Sequence, residues 1–231
     1  MPDLEARSFD RETFRFLAEL AEHNERPWFE ANKQRYLDDC MEPALAFVRK
    51  MAPALASISP HFVASARRLG GSLMRIHRDT RFARDKSPYK LNIGIQFRHE
   101  RGRDVHAPGF YVHIVPGSCF LGAGIWHPDP KALRAIRTEI VEQPELWQHA
   151  RDDRAFRRHF ELGGAQGERP PRGFPADGPH AADLRRKDFI AVSPLADADV
   201  VRASFADRAA ARFAAARPLL QFLCGALDLP F

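Results

Sequence analysis

Cysteine is scarce in this chain: three in 231 residues, at positions 40, 119 and 224. They are odd in number and far apart, which excludes a disulfide framework and a CxxC metal knuckle. They read as reduced, buried thiols of a cytoplasmic protein. Long apolar runs are missing too, since none approaches the ~20 residues a helix needs to cross a bilayer. The opening "MPDLEARSFD" has neither a basic start nor an apolar stretch, so no signal peptide is expected. HExxH, HxH and GxSxG do not occur, and "GGAQG" and "GAG" lack the strand, GK[ST] and helix of a phosphate loop. The ten histidines form no compact set with carboxylates. His77 and His113 can meet across strands, but a lone pair needs further ligands. No metal and no cofactor are expected, and spacing assigns no catalytic residue.

An apolar content of 45%, with 10% aromatics, is enough for a full core. The length is within the range of one domain, spanning 1–231. Helical spacing governs the first sixty residues: Phe14, Leu17 and Ala21 follow an N-cap at Ser8 or Asp10. Pro27 then opens a helix carrying Trp28, Phe29, Asn32 and Tyr36, with Trp28 and Phe29 as core anchors. A third helical set, Leu45, Val48, Met51 and Leu55, ends near Pro60.

The period then changes to two. "SLMRIHRD" reads as a strand, and "KLNIGIQFR" alternates Leu91, Ile93, Ile95 and Phe97 with Asn92, Gly94, Gln96 and Arg98. "GFYVHIVPGSCFLGAGIW" reads as two strands turning at Pro116-Gly117. Helices return at 130–143 and 144–160, "KDFIAVSP" adds a strand, and helices at 197–216 and 218–227 follow. There is no internal repeat. The fold class is α+β, a mostly antiparallel sheet from 62–126 and about 188–193 with N- and C-terminal helices packed on one face. If Met74, Ile76, Leu91, Ile93, Ile95 and Phe97 face those helices, Arg75, His77, Asn92 and Gln96 share the other face, joined by Tyr111 and His113. That face is either ligand-facing or simply solvated.

The charge is unevenly spread. The net charge is +5, yet 66–104 holds eleven Arg or Lys against four Asp or Glu, leaving 24 against 26 elsewhere. It peaks in "RIHRDTRFARDKSPYK", residues 75–90, where six cations face two acids. Guanidinium forks match phosphate or carboxylate oxygens at any ordinary pH. We read Arg75, Arg78 and Arg81 as anion ligands, with Lys86, Tyr89 and Lys90 at the rim and Asp79 and Asp85 orienting the arginines. An ion-pair network with carboxylates elsewhere in the fold, or a solvated basic face, are the structural alternatives. Gly163 to His180, five Gly and four Pro in eighteen residues, is expected to be a surface loop that brings Arg172 over this stretch. Arg169 and Arg185-Arg186-Lys187 accompany it.

The pattern RxxRDxRFxxDKxPYK resembles the signature of a broad family of proteins of about 230 residues, bacterial with some fungal relatives, classed as a domain of unknown function. "HNERPWFEANKQRY" is similar to that family's Asn-x-x-x-Trp-Phe-x-x-Asn segment, which falls on Asn24, Trp28, Phe29 and Asn32. "PGFYVHI", "GAGIWHP" and "RPPRGFPADGP" extend the resemblance nearly end to end. The family's Asp-His-Pro loop is altered, with Gly178 between Asp177 and Pro179 and His180 after it. The resemblance implies membership and no mechanism. Three function classes stay open: binding, with or without processing, of a small anionic or phosphorylated ligand; nucleic-acid binding through 66–104 with Phe82 and Tyr89 as stacking platforms; and a scaffold pairing with an acidic protein.

Overall fold

A computed structural model gives the fold and describes residues 8–102 and 107–231. Arg103 and Asp104 of the basic region, and most of the N-terminal decapeptide, lie outside the described residues. The chain starts with helix α1 (Arg11–Glu22), whose N-cap Asp10 accepts the amides of Glu12 and Thr13 while the Thr13 hydroxyl accepts the amide of Asp10. This reciprocal cap satisfies donors that a helix start otherwise leaves unpaired. α2 (Arg26–Ala31), α3 (Lys33–Arg35) and a π-helical turn (Tyr36–Met41) lead into α4 (Glu42–Ile58). Where one helix through Tyr36 is expected, the path is thus broken twice before α4 begins.

Five strands form one antiparallel sheet: β1 (Ile93–Arg98), β2 (Gly109–Ile114), β3 (Cys119–Ile125), β4 (Glu161–Gly163) and β5 (Phe189–Leu195), in spatial order β1-β2-β3-β5-β4. α5 (Pro130–Glu142), α6 (Pro144–Asp152) and α7 (Arg154–His159) connect β3 to β4, and α8 (Ala181–Leu184) precedes β5. α9 (Asp197–Val200), α10 (Phe205–Ala215) and α11 (Arg217–Ala226) close the chain. The single helix expected at 197–216 is interrupted between Val200 and Phe205.

Alternation along the strands buries one face completely. Ile95, Phe97, Phe110, Val112, Ile114 and Leu121 are fully buried, and α4, α10 and α11 lie against them. Phe47 of α4 meets Phe97, and Phe213 of α10 meets Phe110 at 4.7 Å. Burying a side chain of this size contributes roughly 1.5–3 kcal/mol. The buried apolar side chains, from Phe9 to Cys224, form one contiguous cluster, and all three cysteines lie in it as free thiols. Among the described residues no helix is long and apolar enough to cross a membrane.

The segment "SLMRIHRD" is not a strand. Leu73 bridges Ile95 of β1 and His77 bridges Tyr89 just ahead of it, so the register against one stretch slips by two residues and no continuous ladder forms. Leu73 and Ile76 are buried there, so Ile76 faces the core as expected and Met74 does not, and Leu91 is 39% exposed ahead of β1. The sheet's regular part therefore begins at Ile93, not near residue 62.

Candidate functional site

The basic stretch folds as a short stem with an exposed tip. The Lys90 amide donates to the Ile76 carbonyl at 2.7 Å and the Arg78 amide to the Pro88 carbonyl at 2.9 Å. Asp85 makes the turn by accepting both the amide and the hydroxyl of Ser87, and it also takes the Arg78 guanidinium. Those Ser87 bonds, then Arg78, hold its carboxyl far below the usual range. Arg81 grips Asp79 two-pronged, Nε to Oδ1 at 3.0 Å and Nη2 to Oδ2 at 2.7 Å, and lowers its pKa to about 2. The Lys86 ammonium donates to the Thr80 carbonyl at 2.9 Å. Asp79 and Asp85 do orient arginines, but by drawing Arg78 and Arg81 into pairs within the loop. Phe82, 95% exposed at the tip, has Arg81 over its ring at 6.0 Å.

Tyr89 lies inside rather than at a rim. Its ring stacks on Phe29 at 4.0 Å and is buried, with His77 at 5.3 Å. Asn24 clamps its backbone from the N-terminal side: Asn24 Nδ2 donates to the Tyr89 carbonyl at 3.0 Å, and the Tyr89 amide donates to Asn24 Oδ1 at 3.1 Å. Asn32, the other asparagine of that segment, donates to the Trp28 carbonyl at 2.9 Å.

Of the six cations of the stretch, Arg78 and Arg81 pair with carboxylates; among the described residues Arg75, Arg84, Lys86 and Lys90 do not, and of these four Lys90 is the one that is half-buried. Burial together with the neighbouring Arg75 charge lowers the Lys90 pKa. Two residues along, Asn92 enters a polar cluster on the sheet's open face. Asn92 Nδ2 lies 3.4 Å from the Tyr111 hydroxyl and 3.3 Å from His113 Nδ1, and the Tyr111 hydroxyl is 3.1 Å from His113 Nδ1. Burial lowers the His113 pKa and so favours its neutral ring in this cluster. Gly94 makes this possible: a Cβ there would come within 2.8 Å of the Tyr111 hydroxyl.

Residues directly opposite in an antiparallel pair share a face. The registers therefore set Gln96, Tyr111, Gly122 and Val192 in one row across the open face, and Arg98, Gly109, Gly124 and Ile190 in the next. Three glycines in two rows leave a trough of about 330 Å³, walled by Tyr111, Phe120 and Trp126. At its mouth Trp126 packs on His127 at 4.2 Å. His127 has a left-handed backbone (φ 47°), unusual for a residue with a side chain. Buried Asp188 holds it there by accepting its amide at 2.7 Å, with His127 Nδ1 at 3.3 Å. Asp188 also accepts the Ala165 amide, so one carboxylate ties two loops together.

A family model described as "Conserved hypothetical protein (DUF2461)" matches residues 12–222. The chain belongs to the DUF2461 family. Neither the curated proteins nor the solved structures gave a match.

In this DUF2461 protein the two segments quoted for the family resemblance are one unit in space, since Asn24 and Phe29 of the first hold Tyr89 of the second. The Gly-Pro-rich loop is less compliant with expectation. Its hydrogen bonds tie Ala165 and Gly167 to Arg185, Lys187 and Asp188, on the β4–β5 side of the sheet. The basic stretch joins the β1 side. Four strand spacings of ~4.8 Å put about 19 Å between those edges, and among the described residues no hydrogen bond or ion pair joins the loop to 75–90. Arg172 is exposed on that loop. Arg186, named above as accompanying the loop, is buried: its Nε donates to Asp183 and its Nη1 to the Gly163 carbonyl. Asp183 also accepts Trp147 Nε1 and Arg151 Nη1, both at 2.8 Å. Burial alone would raise its pKa, and these donors reverse that and lower it. Asp183, Asp188 and the glycine rows carry no local sequence signal; the glycines align only once the strand register is known. Among the described residues no group of three or more His, Cys, Asp or Glu is arranged to hold a metal ion.

Proposed function

We propose that this DUF2461 protein binds a small anionic ligand, a phosphate or carboxylate compound, through Arg75 and Lys90 at the polar end of the open sheet face. One observation carries the reading: two adjacent cations, one of them half-buried, have no carboxylate in ion-pair reach among the described residues. Like charges held together against desolvation are unfavourable unless an anion offsets them. A guanidinium fork beside an ammonium suits an oxyanion, and the neighbouring Asn92 amide adds a neutral donor. In this reading Arg78 and Arg81, held by Asp85 and Asp79, shape the loop and leave Arg75 and Lys90 to contact the ligand; Lys86 and Arg172 are not needed.

Thermal unfolding at fixed ionic strength across inorganic phosphate, nucleotides, sugar phosphates and short oligonucleotides tests it. A ligand at a hundredfold excess over Kd stabilises by about 2.7 kcal/mol, or roughly 5–10 °C for a domain of this size. Arg75→Ala and Lys90→Met should abolish that shift. If no anion raises the midpoint more in the parent than in these variants, the reading fails.

The exposed ring of Phe82 beside Arg81 supports a second reading, single-stranded nucleic acid stacking on the loop tip. In that case oligonucleotides alone give the shift, Phe82→Ala removes it, and Tyr89, being buried, takes no part in stacking.

A further inference from the structure

We propose that the trough on the open face is a binding site for a flat aromatic ring. A β-sheet surface ordinarily has no depth, because every second residue raises a side chain from it. Here three positions in two adjacent rows are glycine, and two of them admit nothing else: a Cβ would lie 2.0 Å from the Phe189 carbonyl oxygen at Gly124, whose φ is +124°, and 2.6 Å from the Phe97 carbonyl oxygen at Gly109. Gly122 is different: its φ is ordinary and a Cβ there would make ordinary contacts, 3.4 Å to Tyr111 and 3.9 Å to the Ala191 carbonyl. The missing side chain at 122 is thus not demanded by the backbone, and its absence is what keeps the trough open.

The floor is bare peptide plane, which is flat and offers its faces rather than its hydrogen-bonding edges. The walls are the rings of Tyr111 and Phe120, with the half-exposed indole of Trp126 at the mouth. Aromatic rings prefer offset-stacked or edge-on neighbours, and three walls of that kind around a flat floor favour a planar guest over a branched aliphatic one. The volume, about 330 Å³, is at the lower end of small-molecule sites and has room for a two-ring system. The polar groups on the lining are the Gln96 amide and the Tyr111 hydroxyl, so the guest is apolar over most of its surface, with a polar atom at the Gln96 end. Arg75 and Lys90 are not part of the lining, and this inference does not rest on the anion reading.

The test is a fluorescence titration of the full chain with 6-propionyl-2-(dimethylamino)naphthalene, a neutral, planar two-ring probe whose emission depends on polarity. We expect saturable binding of one probe per chain with a blue-shifted emission. Gly122→Leu, which fills the trough, should weaken binding at least tenfold, and Trp126→Ala, at the exposed mouth, several-fold. Circular dichroism confirms that each variant is folded, and the Trp126 variant serves if the other is not. Arg75→Ala should leave probe binding unchanged while removing any phosphate-dependent stabilisation, so the two sites fail or survive separately. The proposal is overturned if the probe does not saturate, or if folded Gly122→Leu and Trp126→Ala bind it as the parent does. It is also overturned if the parent sediments as a dimer that Gly122→Leu dissociates, because the face is then covered by a second copy.

Discussion

Replacing Asn24 by alanine should loosen the basic loop from the N-terminal helices. Asn24 makes both of its bonds to the backbone of one residue, donating to the Tyr89 carbonyl at 3.0 Å and accepting the Tyr89 amide at 3.1 Å. Tyr89 is 2% exposed and its ring is stacked on Phe29, so water cannot easily replace the lost partner. Each intramolecular hydrogen bond contributes about 1 kcal/mol net, and stranding its buried partner costs about 1–3 kcal/mol. Two bonds therefore put the loss near 2 kcal/mol, about 4–8 °C in the thermal midpoint for a domain of this length. Urea unfolding should give that difference with an unchanged m-value. Hydrogen exchange should report a faster Tyr89 amide. Asn24→Asp should be no better than alanine, because a carboxylate oxygen would then face the Tyr89 carbonyl. A loss under 0.5 kcal/mol for alanine, or a parent-like Asn24→Asp, would refute the clamp.

Three further outcomes are expected. Asp183→Asn should cost about 3–5 kcal/mol in chemical denaturation, because it leaves Arg186 and Arg151 without their buried carboxylate. Gly94→Ala should push the Tyr111 hydroxyl and Met74 aside, costing about 1–2 kcal/mol and altering the near-ultraviolet circular dichroism. Stability should fall as pH is lowered from 7.5 to 5.5. The His113 pKa is depressed in the fold by burial, so the unfolded chain takes up the proton first. His113's contribution is fully present above its ordinary value of about 6.5 and is lost as pH falls below it. His159, depressed by burial and the nearby Arg212 and Arg158, acts in the same direction. The drop in midpoint should be smaller in His113→Gln, and an equal drop would place the effect elsewhere.

Local pattern was enough wherever one residue's neighbours along the chain decide its environment. The alternation of Ile93, Ile95 and Phe97 with Gly94, Gln96 and Arg98 is the pleat itself, so β1 and its two faces could be read directly. The turn at Pro116-Gly117, the helices at Pro130 and Arg217, and the α+β class follow from signals of the same range. The charge imbalance in 75–90 was equally legible, and two acids could not neutralise six cations; the structure pairs Arg78 and Arg81 and, among the described residues, leaves Arg75, Arg84, Lys86 and Lys90 without a carboxylate. Tertiary structure decided the rest. "SLMRIHRD" has a strand's period but its register against 88–96 slips by two residues, and register is a property of the pair rather than of the segment. Nothing along the chain marks Arg186 and Asp183 as partners, yet α6 and α8 bury them together, which is tolerable only because Trp147, Arg151 and Arg186 all donate to one carboxylate. Glycines 109, 122 and 124 are scattered over two strands along the chain. They become a trough because antiparallel pairing sets Gly109 opposite Gly124 and Tyr111 opposite Gly122, an alignment made across strands and therefore invisible along any one of them.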